Sequence, residues 1–288
     1  MRLQATLTVN EAKRIIAQGI SRLPEVKQAL LSGKIFLKGG TTVSAVCEEL
    51  AGRPLRISGR ISPRGTVTAH ESGGGHHCAV LDKGVFHGAD GAVAAWLEKF
   101  GPEDVAVIGA NAMDVHGQAA LMYGVSLGGE PGTVLSGLMA EIKNVYIAAG
   151  WEKLVPGSIF DLVIRAGRKN VDRSMGTAVG LTPVFGRLVT ETEALATLAG
   201  VSCAVIGRGG VHGAEGATTM LIEGEPEAVE KADLIIRAVK GQGLSGTPES
   251  LIECRAPSEK CRLHLACIYK KTPKKVRPRK ARPPEPGR

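Results

Sequence analysis

The pattern of apolar and polar positions divides the first 175 residues into alternating predicted helices and strands. Apolar residues three and four positions apart predict helices, and short continuous apolar runs predict buried strands. The predicted helices cover 8–32 with an interruption at Pro24, 42–52, 92–100 and 133–142. The predicted strands cover 34–39, 103–114, 144–150 and 160–167.

This alternation predicts an α/β, Rossmann-like domain over residues 1–175, with a mainly parallel sheet and helices on both faces. Ligands of such sheets bind at the carboxyl ends of the strands, where loops and helix N-termini gather. Two glycine-rich junctions, 39–42 and 126–133, lie beside predicted strand ends or helix starts. We therefore expect both junctions to converge on one ligand pocket.

After residue 175 the pattern changes to the order β-α-β-β-α-β. The predicted strands are 183–189, 201–207, 217–224 and 250–254, and the helices are 190–200 and 225–241. This order is that of the ferredoxin-like fold. We expect a ferredoxin-like α+β second lobe over 176–254, followed by a Cys/His segment and a basic tail over 255–288.

The net charge of +8 belongs to the tail. Residues 270–288 contain nine Lys or Arg and one Glu, which accounts for the whole excess. Such a proline-rich segment cannot form a core and is expected to be disordered. It is either a solubilising extension or the one segment that could contact nucleic acid.

Membrane and secretory signals are not evident in the sequence. No apolar run approaches the ~20 residues that cross a bilayer, and the first 15 residues lack the apolar core of a secretory signal. Six cysteines in 288 residues argue against a disulfide framework. We therefore expect a cytoplasmic protein without a membrane partner.

The junction Gly39-Gly40-Thr41-Thr42 has the composition of an anion site. Glycines let the backbone turn sharply and approach a ligand. The N-terminus of the following helix presents unpaired N–H groups and positive potential. The alternative is that the four residues only form a tight, well-capped turn.

Two segments resemble a known superfamily. "ALLSGKIFLKGGTTVSAVCEEL" and "EDVAVIGANAMDVHGQAALMYG" are similar to the strand–turn–helix units of ribose-5-phosphate isomerase A, glucosamine-6-phosphate deaminase and CoA transferases. The resemblance covers roughly 30–165 and implies the fold, a sugar-phosphate or acyl-CoA ligand and, by analogy, a homo-oligomer.

The resemblance also suggests site residues. Asp114 or His116 would be the base and Glu130 the acid or nucleophile, and acyl transfer would use Glu130. Asn111 stands where the family has a carboxylate, and an amide cannot move the proton of an aldose–ketose isomerisation. The predicted anion ligands at the second turn are Gly128, Gly129, Gly132 and Thr133. The alternative is that Glu130 and Pro131 merely begin a helix.

Histidines and cysteines form two further clusters. "HESGGGHHC" places His70, Glu71, His76 and His77 around three glycines, and either metal binding or proton transfer could use them. The alternative is a polar surface hairpin. Near the end of the chain the spacing provides a complete set for zinc or an Fe–S cluster, against the alternative of incidental thiols, in Cys254, Cys261, His264 and Cys267.

Three functions remain open from the sequence. The first is binding of a small anionic metabolite at the glycine turns, with isomerisation or acyl transfer. The second is a ligand sensor or scaffold that has kept the fold and lost the chemistry. The third is a metal-bearing regulator that uses the C-terminal Cys/His cluster.

Overall fold

A computed structural model describes residues 1–69, 74–255, 257 and 259–270 of the chain. The helices are α1 Val9–Arg22, α2 Pro24–Ser32, α3 Thr41–Ala51, α4 Val93–Leu97, α5 Gly129–Thr133, α6 Leu135–Glu141, α7 Ile159–Arg165, α8 Glu191–Ala199 and α9 Pro226–Val239. The strands are β1 Arg2–Leu7, β2 Lys34–Lys38, β3 Gly59–Ser62, β4 Gly65–Thr68, β5 Cys78–Asp82, β6 Val85–Gly88, β7 Val105–Gly109, β8 Ala112–Met113, β9 Ala119–Tyr123, β10 Asn144–Ala148, β11 Gly180–Val184, β12 Arg187–Val189, β13 Ser202–Gly209 and β14 Ala217–Glu223.

The central sheet has six strands in the order β12-β10-β7-β2-β5-β6. The first four run parallel, and β5 and β6 are added antiparallel to the β2 edge. The chain is therefore an α/β protein with a mixed sheet, and its smaller sheets are antiparallel.

Side-chain alternation divides the core between the two faces of the central sheet. On β2, Ile35 and Leu37 join a cluster formed with α1, α2, α3, α8 and α9. Phe36 points the other way and joins a cluster with residues of α4 and α6. Successive side chains of a strand point to opposite faces, so a continuous apolar strand requires cover on both sides. Residues of helices pack on each face of the central sheet.

The strand set of the predicted ferredoxin-like lobe differs from the observed one. The segment 183–189 divides at Gly186, and β12 joins the central sheet. Residues 248–251 form a 3₁₀ turn rather than a strand, because Ser250 folds back to donate to the carbonyl of Thr247 and to accept the N–H of Ile57. The edge position beside β14 is taken by β1, from the other end of the chain.

The N-terminal strand thus crosses the predicted boundary at residue 175. Its sheet has the order β1-β14-β13, and α1 packs closely on α8, where a Cβ on Gly19 would meet the Cβ of Ala194 at 2.5 Å. The boundary itself stays a prediction.

The predicted strand at 160–167 is wrong, because residues 159–165 form α7. Its first N–H, on Ile159, is accepted by the buried carboxylate of Asp114 at 3.0 Å, which begins the helix. Phe160 and Ile164 are exposed, whereas Val163 packs against a small cluster of Ala112, Ala120 and Ile159, so the segment buries one face as a helix does.

Across the described ranges, the helices are too short or too polar to cross a bilayer.

Candidate functional site

A cleft of about 260 Å³ opens at the carboxyl ends of β2 and β7. The N-terminus of α3, the turn after β7 and the β3–β4 hairpin form its walls. The side chains with polar or charged groups in its lining are Lys13, Lys38, Thr41, Thr42, Ser58, Arg60, Thr66, Thr68, His77, Asn111, Lys153 and Thr177. Four of these are cationic, and no Asp or Glu among the described residues lines the cleft.

The first glycine turn lies in this cleft as predicted. Gly39 donates its N–H to the carbonyl of His77 at 2.7 Å, and a Cβ on Gly39 would lie 2.2 Å from that oxygen. Helix α3 follows at Thr41, and no side chain from the described residues caps it. Its first-turn N–H groups therefore remain available beside the cleft, which favours an anion.

Two lysines on opposite walls are almost fully buried. Lys13 on α1 and Lys38 at the end of β2 each have a relative exposure of 7%. Within the described ranges, neither ammonium group has a hydrogen-bond or ion-pair partner. Burial lowers the pKa of Lys38. It also lowers the pKa of Lys13 to about 8, although Glu152 opposes that change.

The other two cations are already engaged. The Arg60 guanidinium donates to the backbone carbonyls of Ser250 at 2.8 Å and Ile252 at 2.5 Å. The Nζ of Lys153 lies 3.6 Å from Oε1 of Glu152. Arg60 and Lys153 therefore add positive potential to the cleft, and Lys13 and Lys38 provide the unpaired charge.

His77 and Ser58 form a hydrogen-bonded pair in the cleft. Nδ1 of His77 lies 3.1 Å from the carbonyl of Arg56, which can only accept, so Nδ1 carries the proton. Burial and the charge of Lys38 lower the pKa of His77 to about 4, so the ring is neutral at pH 7. Nε2 is then an acceptor for the Ser58 hydroxyl, 3.1 Å away.

The remaining predicted cleft residue is Asn111, and it lines the cleft next to Gly109 and Ala110. Its Oδ1 accepts the N–H of Met122 at 2.9 Å. The amide therefore holds the turn after β7 against β9.

Asp114 and His116 lie outside the cleft lining. Asp114 is buried, and its two oxygens accept the N–H groups of His116, Gln118 and Ile159 at 2.9–3.0 Å. Burial alone would raise the pKa of Asp114, but these three donors outweigh it and the pKa lies below its usual value. His116 is exposed. The carboxylate is placed to hold a turn, and its predicted role as a base has no substrate-facing atom to support it.

The second glycine turn does not reach the cleft, so the expected convergence of the two turns is wrong. Gly128, Gly129, Gly132 and Thr133 are absent from the lining. Glu130 accepts the N–H groups of Gly91 at 2.6 Å and Val93 at 2.9 Å, which caps α4. The turn is also closely packed, because a Cβ on Gly132 would meet the carbonyl of Leu127 at 2.5 Å.

The histidine-rich segment contributes one described residue to the cleft. His77 lines the cleft, whereas His76 is exposed and lies beside Phe86 with ring centroids 6.2 Å apart. His70 and Glu71 lie outside the described residues.

The C-terminal Cys/His cluster surrounds a second cavity of about 110 Å³. Its lining includes all four predicted metal ligands, Cys254, Cys261, His264 and Cys267. However, Nε2 of His264 lies 2.7 Å from the Thr68 hydroxyl, and no three His, Cys, Asp or Glu side chains of the described chain are arranged to hold a metal ion. Topology brings the four residues together, and their present geometry is not that of a metal site.

Sequence reasoning missed the residues that now define the cleft. Lys13, Lys38, Ser58, Arg60 and Lys153 come from four separate parts of the chain. Of these five residues, only Lys38 could have been found from the sequence. It ends a predicted buried strand and directly precedes the predicted anion-binding turn.

Two carboxylates, Glu152 and Glu191, lie close to each other near Lys153. Glu191 is fully buried and accepts the N–H of Trp151 at 3.0 Å. Burial, with Glu152 nearby, raises the pKa of Glu191 to about 7. Glu152 pairs with Lys153 and opposes the lowering of the pKa of Lys13 by burial.

No protein-family model, no curated protein and no solved structure matches the chain.

Proposed function

We propose that the cleft binds a small anionic metabolite of the sugar-phosphate or acyl-CoA class. One observation carries this proposal: Lys13 and Lys38 face the same cleft, nine-tenths buried and without an ion-pair partner in the described chain. An ammonium group removed from water loses several kcal/mol of hydration unless a partner replaces it. A bound phosphate or carboxylate is such a partner.

Helix α3 supports the same ligand charge. Its uncapped N-terminus meets the cleft at Thr41 and Thr42, whose hydroxyls add two donors. Backbone N–H groups and the helix dipole favour a negative group there. A phosphate at this position would lie among Lys13, Lys38 and the N-terminus of α3.

We also propose that the fold is that of the isomerase and CoA-transferase superfamily. The support is that two segments of the resemblance, β2 with its Gly39-Gly40 turn and β7 with its Gly109-Ala110-Asn111 turn, meet at one cleft. A cytoplasmic location and a homo-oligomer remain predictions from the sequence. Isomerisation by a carboxylate base is not part of the proposal, because no described carboxylate lines the cleft.

Thermal unfolding in the presence of inorganic phosphate, ribose 5-phosphate and CoA tests the proposal, with uncharged ribose as the control ligand. At a ligand concentration of a hundred times Kd, binding to the folded state adds about 2.7 kcal/mol. We expect the three anions to raise Tm by several degrees and ribose to leave it unchanged.

The matched variants are Lys13→Met and Lys143→Met. Lys143 is 62% exposed and far from the cleft, paired with Glu103. Lys13→Met is expected to stabilise the ligand-free protein, because it removes a buried unpaired charge, and to reduce the anion-induced shift. Lys143→Met is expected to keep the shift. Equal Tm shifts in both variants, or no Tm shift in the unmodified protein, would contradict the proposal.

A further inference from the structure

Lys38 contributes to the proposed anion site, and its position also allows a second role. It lies at the last residue of β2, on the face of the sheet that also carries Phe36, and its side chain lines the cleft. Lys13, Lys153 and the N-terminus of α3 provide further charge and donors for an anion. Once it has lost a proton, the buried amine of Lys38 can react with a bound molecule.

The neighbours of Lys38 are uncharged. Its cross-strand partner is Cys78, which is buried and paired directly opposite on β5. Cross-strand pairs of this kind have their side chains in contact on one face. Burial raises the pKa of the Cys78 thiol to about 12, so the thiol carries no charge near pH 7. His77 is neutral as well.

These surroundings disfavour the ammonium form of Lys38. No described carboxylate pairs with it, and burial lowers its pKa. A lysine amine that is desolvated by burial is a nucleophile in its neutral form, and carbonyl carbons are its usual targets.

We propose that Lys38 is a nucleophile that forms an imine with the carbonyl carbon of an anionic aldehyde or ketone bound in the cleft. The inference rests on the proposed anion-binding function and narrows its substrate class to compounds with both a carbonyl group and a phosphate or carboxylate.

The reaction balances without an added oxidant or reductant. The Lys38 nitrogen bonds to the carbonyl carbon, and the carbonyl oxygen takes a proton to give a carbinolamine. The nitrogen then loses its remaining proton and the hydroxyl leaves as water, which forms the C=N bond. The Ser58–His77 pair is the described hydrogen-bonded group beside Lys38 that can pass these protons.

Reductive trapping on the full chain tests the inference. The probe is pyridoxal 5′-phosphate, a phosphorylated aldehyde, followed by borohydride, which reduces an imine to a stable secondary amine. Peptide mass spectrometry then locates the label. Burial lowers the pKa of Lys38, and the proposed anion site would hold the phosphate of the probe in the same cleft, so labelling at Lys38 is expected to exceed labelling at the exposed Lys143.

Two competitions tie the label to the cleft. Inorganic phosphate is expected to suppress labelling at Lys38 and to leave Lys143 unaffected. Pyridoxal without its phosphate is expected to label Lys38 less. Lys38→Met is expected to lose the label, whereas Lys143→Met is expected to keep it.

The outcomes separate the two proposals. Phosphate-induced stabilisation with label only on exposed lysines would overturn the imine inference and leave anion binding intact. Label on Lys38 that phosphate does not suppress would overturn the anionic substrate class. The unmodified protein gives both results, so neither conclusion depends on whether Lys38→Met folds.

Discussion

The two glycine-rich turns have similar sequences and different surroundings. The first, at 39–42, opens α3, a helix of 11 residues, and faces a cleft with two unpaired buried lysines. The second, at 126–133, opens α5, a helix of five residues. There the nearest carboxylate, Glu130, turns away to cap α4.

The difference shows what a glycine turn requires to bind a ligand. Each turn has a glycine against which the protein's own backbone packs, with the Leu127 carbonyl at Gly132 and the His77 carbonyl at Gly39. The first turn differs because the space beside Gly40 is open, with no atom within 4 Å of an added Cβ, and Gly40 lines the cleft. Local composition reports flexibility, and only the tertiary structure determines what fills the gap.

The largest expected effect separates the two glycines of the first turn. A Cβ at Gly39 would overlap the His77 carbonyl, which is backbone and cannot easily move, so Gly39→Ala is expected to destabilise the protein by roughly 3 kcal/mol. Gly40 has an extended backbone and open space, so Gly40→Ala is expected to change stability by about 0.5 kcal/mol at most. Chemical denaturation measures both. Equal losses would show that the Gly39–His77 contact does not hold the turn.

The second-largest expected effect is on the pH dependence of stability, and it involves the cleft at the first turn. The pKa of Lys13 is lowered to about 8 from 10.5. Between these values Lys13 binds more protons in the unfolded chain than in the folded one, so Lys13 contributes stability that rises with pH over that window, by about 2 kcal/mol. Buried thiols whose pKa is raised, such as those of Cys47 and Cys78, contribute in the opposite direction. Denaturation of the unmodified protein and of Lys13→Met at pH 8 and pH 10 isolates the Lys13 contribution as the difference between the two.

A bound anion reverses this trend. Because the anion stabilises the ammonium form, the stabilisation that sulfate provides is expected to fall as pH rises through 8. Sulfate suits this test since its own charge is constant over the range. Lys13→Met should lose the Lys13 contribution to the pH dependence of stability and weaken the pH dependence of the sulfate effect, and Lys143→Met should retain both; identical profiles for the two variants would contradict the assigned role of Lys13.

The smallest effect concerns the second turn. Glu130→Gln keeps one acceptor oxygen and loses the other, so one of the N–H groups of Gly91 and Val93 becomes unpaired. The expected loss of stability is about 1 kcal/mol, with no change in the Tm shift produced by phosphate. If phosphate raised the Tm of Glu130→Gln less than that of the unmodified protein, the second turn would have to be part of the binding site.

Local sequence patterns correctly predicted the elements whose burial in the folded protein agrees with the pattern. The continuous apolar strand β2, the turn after it and helix α3 are all as the sequence indicates, because a buried parallel strand needs apolar residues on both faces. By contrast, β1 at Arg2–Leu7 carries weak alternation and forms through pairing with β14, more than 200 residues away. Pairing at that distance has no signature in a local window.

The sequence predicted only those site residues that stand in a segment of unusual local composition. Gly39 to Thr42 and His77 were found by composition. Lys13 sits on a helix whose other residues give an ordinary amphipathic pattern, and its burial depends on how α1 crosses the sheet. Asp114 shows the opposite error: a carboxylate after a buried strand suggested chemistry, and three backbone N–H groups occupy it.

The pairing of β1 with β14 also constrains how the chain is made. Residues 2–7 leave the ribosome before residues 217–223 and cannot pair with them until more than 200 further residues have been made. At synthesis rates of about 5–20 residues per second, this strand waits for on the order of 10–40 s. During that interval its unpaired edge is open to other nascent strands, so expression yield should respond to slower translation and to chaperones that shield strand edges.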